Sequence, residues 1–283
     1  MTIRTDILLL VLGMAAVTYL PRALPAVLIE KLHFGPKLEK FLQLIPYTAM
    51  AALICPGIFT VDASHPAVGL LGVLGGMAGA YGSIYCGHVF ANALTGNLVS
   101  LASELVAGQW LRVAARGAGI LLFLVGVALS VILPVRLGGD ARRWQRRCLL
   151  IEAACFAVQG LLPYAALTAV SPALYLWPVF FACGMQYNTF TALHGVPVST
   201  LFCTNNLRQM VLHLLVWRRR RRSGSPDAAR EGRIALTYFA VTGLFFAGLC
   251  LCVALLAPLG PRLMLLCSAG MLALWACDHL AGA

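Results

Sequence analysis

Runs of about 20 apolar residues recur from Ile7 almost to the C-terminus, each long enough to cross a bilayer's hydrocarbon core as a helix. The chain has 283 residues, 60% of them hydrophobic and 11% charged, against roughly 25% charged in soluble domains. A soluble fold could not cover that much apolar surface. The runs are continuously apolar and do not alternate with period two, which argues against a membrane β-barrel. The sequence therefore predicts an all-α, polytopic membrane protein with eight to ten apolar segments. Drawn finely, these are 6–29, 43–60, 66–86, 89–107, 113–135, 148–170, 172–192, 197–217, 234–257 and 260–281.

The net charge of +11 would suit a nucleic-acid binder, but its placement does not. Arginines gather at Arg136–Arg147 and Arg218–Arg222, beside apolar runs, where cytoplasmic loops meet anionic lipid headgroups. No nucleic-acid partner is expected. The bilayer is the expected partner, and the bacterial inner membrane the expected location. Most of the ten cysteines, Cys55, Cys183 and Cys267 among them, lie within apolar segments and form no Cys-x-x-Cys pair. They read as small buried hydrophobes. Residues 1–20 read as a retained membrane segment, because the apolar stretch continues past Tyr19 to Leu28 with no small-residue cleavage site before a polar region. Within it Pro21, Arg22 and Pro25 break the helical pattern, and Arg22 either snorkels to a headgroup or lines a polar cavity.

Two polar motifs interrupt the apolar pattern. Thr95-Gly96-Asn97-Leu98 and Thr204-Asn205-Asn206-Leu207 lie 109 residues apart (206 − 97), and Val89 and Val198 keep that offset. Unpartnered amides and hydroxyls cost several kcal/mol in hydrocarbon, so these groups require partners. Three apolar segments lie between the two arginine clusters, yet two loops on one side of a membrane require an even number of crossings. The segment 197–217, whose first half is polar, is expected to be re-entrant or broken, with 89–107 as its counterpart. The domains expected are 1–65, 66–170 and 171–283, the last two forming an inverted repeat like that of many secondary transporters. The rival account is that apolar composition alone produced the four identities between 84–98 and 193–207. A second tension is that the lysine loop at 31–40, followed by one crossing, would start residue 66 on the wrong side for inversion.

A family likeness adds to this. Ala80-Tyr81-Gly82, Gly87-x-Val89-Phe90, Thr95-Gly96-Asn97, Gly184-Met185-Gln186-x-Asn188 and Gly195-Val196-Pro197-Val198-Ser199-Thr200 occur in one order. From about Gly72 onward the chain resembles the YoaK-type family of bacterial membrane proteins, a domain of unknown function. It departs from that pattern at Gly79, where relatives often carry an acid, and at Asn205, where they often carry glycine. The first departure removes an obvious proton-coupling carboxylate. Leu12-Gly13-Met14-Ala15-Ala16-Val17-Thr18-Tyr19-Leu20-Pro21-Arg22, with Leu24-Pro25, is similar to the AzlD-type small subunit of branched-chain amino-acid exporters. That likeness implies an export-related ancestry for 1–65, and a homo-oligomer or an AzlC-like subunit as partner.

Asn92, Thr95, Asn97, Gln186, Asn188, Thr204, Asn205 and Asn206 supply neutral donors and acceptors, and Arg208 a charge that clamps an anion, caps a helix end or reaches the interface. Gathered around two broken helices they could bind a small polar solute, a zwitterion or a cation. Equally, they could be glue that hydrogen-bonds packed helices. Gln186 and Asn188 do not share a face of a regular helix. Glu152, one turn beyond Arg146-Arg147, is expected in an interfacial ion pair, and Asp278 and His279 sit too near the C-terminus to carry a site. There is no Gly-x-Ser-x-Gly, His-Glu-x-x-His or Walker lysine, and His88, His194 and His213 are scattered. Neither an enzyme, a cofactor nor a metal is expected. The reading is a permease-like transporter of a small solute, with a non-transporting structural or accessory protein as its rival.

Overall fold

The computed structural model describes residues 66–137, 140–193 and 195–281, all within one structural unit, Gly57–Ala283. Readings that concern 1–65, the AzlD-like segment and its partner among them, and His194, lie outside the described residues.

The described chain is helical almost throughout, as expected of an all-α membrane protein. Helix α1 (Pro66–Ala80) runs into a π turn at Tyr81–Tyr85. A loop then leads to α2 (Leu94–Val106) and the long α3 (Trp110–Arg136). Asp140 starts α4 (Ala141–Leu161) by accepting from the backbone N–H groups of Arg142 and Arg143 at 2.9 and 3.1 Å. The single apolar segment expected at 148–170 is in fact two helices: the chain turns by 89° before α5 (Tyr164–Val170). Pro163 causes the break, since it cannot donate to the helix and restricts the residue before it. Pro172 and Pro178 sit in the first turns of α6 (Pro172–Tyr175) and α7 (Trp177–Thr189), where a missing N–H costs nothing. A two-stranded hairpin, β1 (Ala192–Leu193) with β2 (Val196–Pro197), precedes α8 (Thr204–Arg222) and α9 (Ala228–Leu259). After a 3₁₀ turn at Gly260–Arg262, α10 (Leu263–Ala281) ends the described chain.

Two helical stretches, Trp110–Arg136 and Ala228–Leu280, are long and apolar enough to cross a membrane, and a third is if the bent pair Ala141–Leu161 and Tyr164–Val170 is one span. Gly260 takes a positive φ of 51° inside the second stretch. Gly248 on α9 lies against Val73 while Gly270 on α10 lies against its neighbour Leu74, so the chain folds back between them.

The helix partners form matched sets. α1 packs on α9, and α7 on α3; α2 packs on α3, and α8 on α9; α10 packs on α1, and α4 on α7. Every pair maps onto the other when α1, α2, α3 and α4 are exchanged for α7, α8, α9 and α10. The tightest crossings obey the same exchange. A Cβ at Gly76 would strike the Phe245 carbonyl, and one at Gly248 the Val73 carbonyl. A Cβ at Gly184 would strike the Phe123 carbonyl, and one at Gly126 the Phe181 carbonyl. The offsets agree within each helix pair: 108 for α1 and α7 (184 − 76, 181 − 73) and 122 for α3 and α9 (245 − 123, 248 − 126). Small residues here let backbones touch, the device on which helix association in lipid relies.

α4 and α10 are mates that pack on each other, and they do so antiparallel. Arg146 near the start of α4 donates to Asp278 near the end of α10, through Nε to Oδ2 at 2.6 Å and Nη2 to the backbone oxygen at 2.7 Å. At the far end Gly160 lies against Leu265. Mates that run antiparallel are related by an axis perpendicular to their length. The two halves are therefore inverted with respect to each other.

Candidate functional site

The two polar motifs build the same local device twice. In the first half the chain leaves the π turn through Gly87 and His88, both at positive φ (62° and 61°), and loses helical bonding until Leu94. Asn97, on the following helix, reaches back to Phe90: its Oδ1 accepts from the Phe90 N–H at 3.3 Å and its Nδ2 donates to the Phe90 carbonyl. In the second half Asn206 Oδ1 accepts from the Ser199 N–H at 3.0 Å and Nδ2 donates to the Ser199 carbonyl at 2.7 Å. Both the asparagines and the residues they hold are 109 apart (206 − 97, 199 − 90). An amide offers a donor and an acceptor side by side, so one side chain satisfies both polar groups of a non-helical residue. In a membrane those groups have no water to turn to.

The two breaks touch. Asn92 Nδ2 donates to the Leu201 carbonyl at 2.7 Å, and 201 − 92 is again 109. A residue that contacts its own mate lies beside the pseudo-twofold axis, so this bond marks the centre of the repeat. Glycines make room for it. Gly75 lies against the Thr200 carbonyl, and a Cβ at Gly79 would come within 2.6 Å of Asn92 Nδ2. Gln186 Nε2 reaches into the same region, donating to Thr200 Oγ1 at 2.9 Å and the Leu71 carbonyl at 3.4 Å. Asn92 Oδ1 has no partner among the described residues.

The nine candidate residues therefore separate. Asn92, Asn97, Gln186 and Asn206 are buried: Asn97 and Asn206 brace the breaks, Gln186 ties α7 to Thr200 and α1, and Asn92 links the two breaks. Asn188 is half-buried and donates to Ser130 Oγ on α3 at 3.0 Å, away from Gln186, as their spacing on one helix requires. Thr95, Thr204, Asn205 and Arg208 are exposed and not part of the meeting point.

Two polar pairings, Arg116 with Glu104 and His213 with Glu231, escaped the sequence reading. Arg116, buried inside α3, donates to both carboxylate oxygens of Glu104 at 2.9 and 2.8 Å and to Asn97 Oδ1 at 2.9 Å. It ties the first brace to α3. Its signal was an arginine four residues into the apolar segment 113–135, with an acid twelve residues earlier. The corresponding place in the second half holds His213 (213 − 104 = 109) stacked on Tyr238 (238 − 116 = 122), with ring centroids 5.9 Å apart. His213 also meets Glu231 at 2.7 Å. Glu152 corrects an expectation: it forms no interfacial ion pair among the described residues but is fully buried, and Arg146 pairs with Asp278 instead. The helix carries residue 152 about 9 Å beyond Arg146, past the interface. Among the described residues no group of three or more His, Cys, Asp or Glu is placed to hold a metal.

Residues 67–277 match the family model described as protein of unknown function, DUF1275. Residues 7–104 match that of the branched-chain amino acid transport protein AzlD, overlapping the first over 67–104. No curated protein and no solved structure matches significantly. With an inverted pair of helical units joined at two braced breaks, and a family match across most of its length, the chain belongs to the DUF1275 family of membrane proteins.

Proposed function

We propose that this protein is a permease-like transporter of a small polar solute, an amino acid being the class that its AzlD-like portion favours. The observation that carries this reading is the Asn92–Leu201 bond, where two breaks from inverted halves meet beside the axis. Breaks of that kind free backbone carbonyls and N–H groups for a ligand and give two units a seam along which to rock. In this reading the structure is the closed state, with the amides of Asn97, Asn206 and Gln186 engaged by the protein itself.

Charge placement supports a multi-pass arrangement in the cytoplasmic membrane. The junctions after α3 and after α8 carry Arg136, Arg142, Arg143, Arg146 and Arg147, and Arg218–Arg222. Their mates, after α9 and after α2, carry Arg262 alone, and Arg112 with the ion-paired Arg116. Inversion requires that asymmetry if arginine-rich loops stay inside. On the α8 cluster an open recess lined by Leu214, Trp217, Arg218, Arg221 and Arg222 suits a lipid headgroup.

The second reading, a non-transporting accessory protein, draws on one observation: those same amides are already bonded. In both readings the protein is not an enzyme. Vesicles holding the intact protein, Asn92→Ala or Gln186→Leu, assayed against a panel of amino acids and polar metabolites, separate the two. Flux of at least one solute in the intact protein, reduced in both variants, supports transport. No flux of any solute, with all three proteins folded, supports the accessory role.

A further inference from the structure

Glu152 lies on α4 where the two units meet, since α4 belongs to the first and packs on α7 and α10 of the second. It has no exposed surface. Cys148 Sγ donates to its Oε1 at 3.1 Å, and its Oε2 has no partner among the described residues. No lysine, arginine or histidine pairs with it among those residues. The titratable groups near enough to feel its charge are Cys148 and Cys155 on α4 and Cys183 on α7. From α10, Ser268 donates to the Ala153 carbonyl at 2.7 Å, and its neighbour in the chain, Cys267, is buried. The one acid on α10, Asp278, is held by Arg146. A carboxylate with one thiol donor and no cation is untenable in such a place; a neutral acid is not.

Two turns along the same face of α4 lies Gln159, fully buried, its side-chain Nε2 and Oε1 both without a partner among the described residues. The Gln159 carbonyl accepts from Tyr175 Oη at 3.1 Å, and Tyr175 Oη lies 3.0 Å from Tyr81 Oη. Tyr81 opens the π turn that leads into the first break. Buried polar groups thus extend from Glu152 toward the place where the breaks meet.

We propose that Glu152 is the proton-binding residue of the transport cycle. It is a neutral carboxylic acid while the units are closed and an exchangeable one when they part along α4. On parting, its O–H proton passes to water and leaves a carboxylate; reclosing requires that a proton be taken back. This rests on the transporter reading and deepens it. Ionisable side chains inside membranes commonly mark such proton sites.

An apolar carbodiimide tests the idea without knowledge of the solute, because it adds to protonated carboxyl groups in lipid and leaves a stable acylurea. The intact protein, Glu152→Asp and Glu152→Gln are reconstituted in vesicles, treated across a pH series and mapped by mass spectrometry. We expect an adduct on residue 152 in the intact protein and in Glu152→Asp, and none in Glu152→Gln. Its yield should fall about tenfold for each pH unit above the acid's own value. Absence of the adduct from the intact protein at every pH, or a yield indifferent to pH, overturns the proposal. Solute flux without an adduct would sink the proton site alone, whereas an adduct without flux of any solute would sink the transporter reading.

Discussion

The two halves share a skeleton and differ in what locks it. Each has a glycine crossing, a broken entry and an asparagine brace at corresponding positions. In the first half the brace is tied to a buried ion pair, Arg116 with Glu104, each side chain no more than 14% exposed. In the second the equivalent place is an aromatic stack, His213 on Tyr238, and Asn206 is anchored only to Ser199. Backbone geometry is what the inverted pair holds in common, because irregular peptide groups in lipid have few ways to be satisfied. Side-chain charge is free to differ, and it is charge that tells the membrane which half faces which way.

The comparison is broken most severely at Arg116. Replacing it with methionine leaves Glu104 without its cation and should destabilise the protein by about 3–5 kcal/mol, read as loss of thermal stability in detergent. Adding Glu104→Gln should restore much of it; a double variant as unstable as the single one would show that the pair is not the lock. Gly184→Leu and Gly248→Leu come next. Both force a side chain into an opposing carbonyl, each should cost about 3 kcal/mol, and similar losses would confirm that the crossings are equivalent. A large difference would mean that one crossing can give way and the symmetry is only approximate.

Asn206→Ala should cost about 2 kcal/mol by orphaning the Ser199 peptide groups. Asn97→Ala should cost more, because Arg116 also loses an acceptor. Equal losses would place Arg116 outside the brace. His213→Ala removes a pair with Glu231 that water reaches, and about 1 kcal/mol or less is expected.

The smallest effect lies at the start of α4, outside the apolar segment. The backbone N–H groups of Arg143 and Arg142 hold the Asp140 carboxyl below its usual range. A carboxyl whose value is lower folded than unfolded stabilises the fold in full above the unfolded value, and that contribution fades as pH falls through the folded one. Helix content followed by circular dichroism in acid should therefore drop earlier in the intact protein than in Asp140→Asn, which keeps the cap without titrating. Identical acid limbs would remove Asp140 from the pH response.

Much of the fold was legible in the residues because lipid is an unforgiving solvent. Uninterrupted apolar runs sufficed for the helical membrane class, and the four residues repeated at one spacing pointed to the two breaks, whereas the count of segments between the arginine clusters missed the 89° turn within 148–170. The site was legible only in part. Asn97 and Asn206 stood out as amides among apolar neighbours, but their spacing could not reveal that each turns back on its own loop. Thr95, Thr204 and Asn205 shared their motifs, and Arg208 adjoined one, yet all are exposed, since neighbouring positions on a helix face different directions. Arg116 and Glu104 were hidden because their match, across a helix junction, has no periodic signature.

By itself the sequence determined the solvent, the helical class and the recurrence at 109 residues, all of which follow from local chemistry summed along the chain. Only the tertiary structure decided that Asn92 meets Leu201, that Arg146 takes Asp278 and leaves Glu152 alone, and that α4 and α10 run antiparallel. Those outcomes depend on which backbones approach across helices more than a hundred residues apart. Glycine permits such an approach, but no short motif names the helix on the other side.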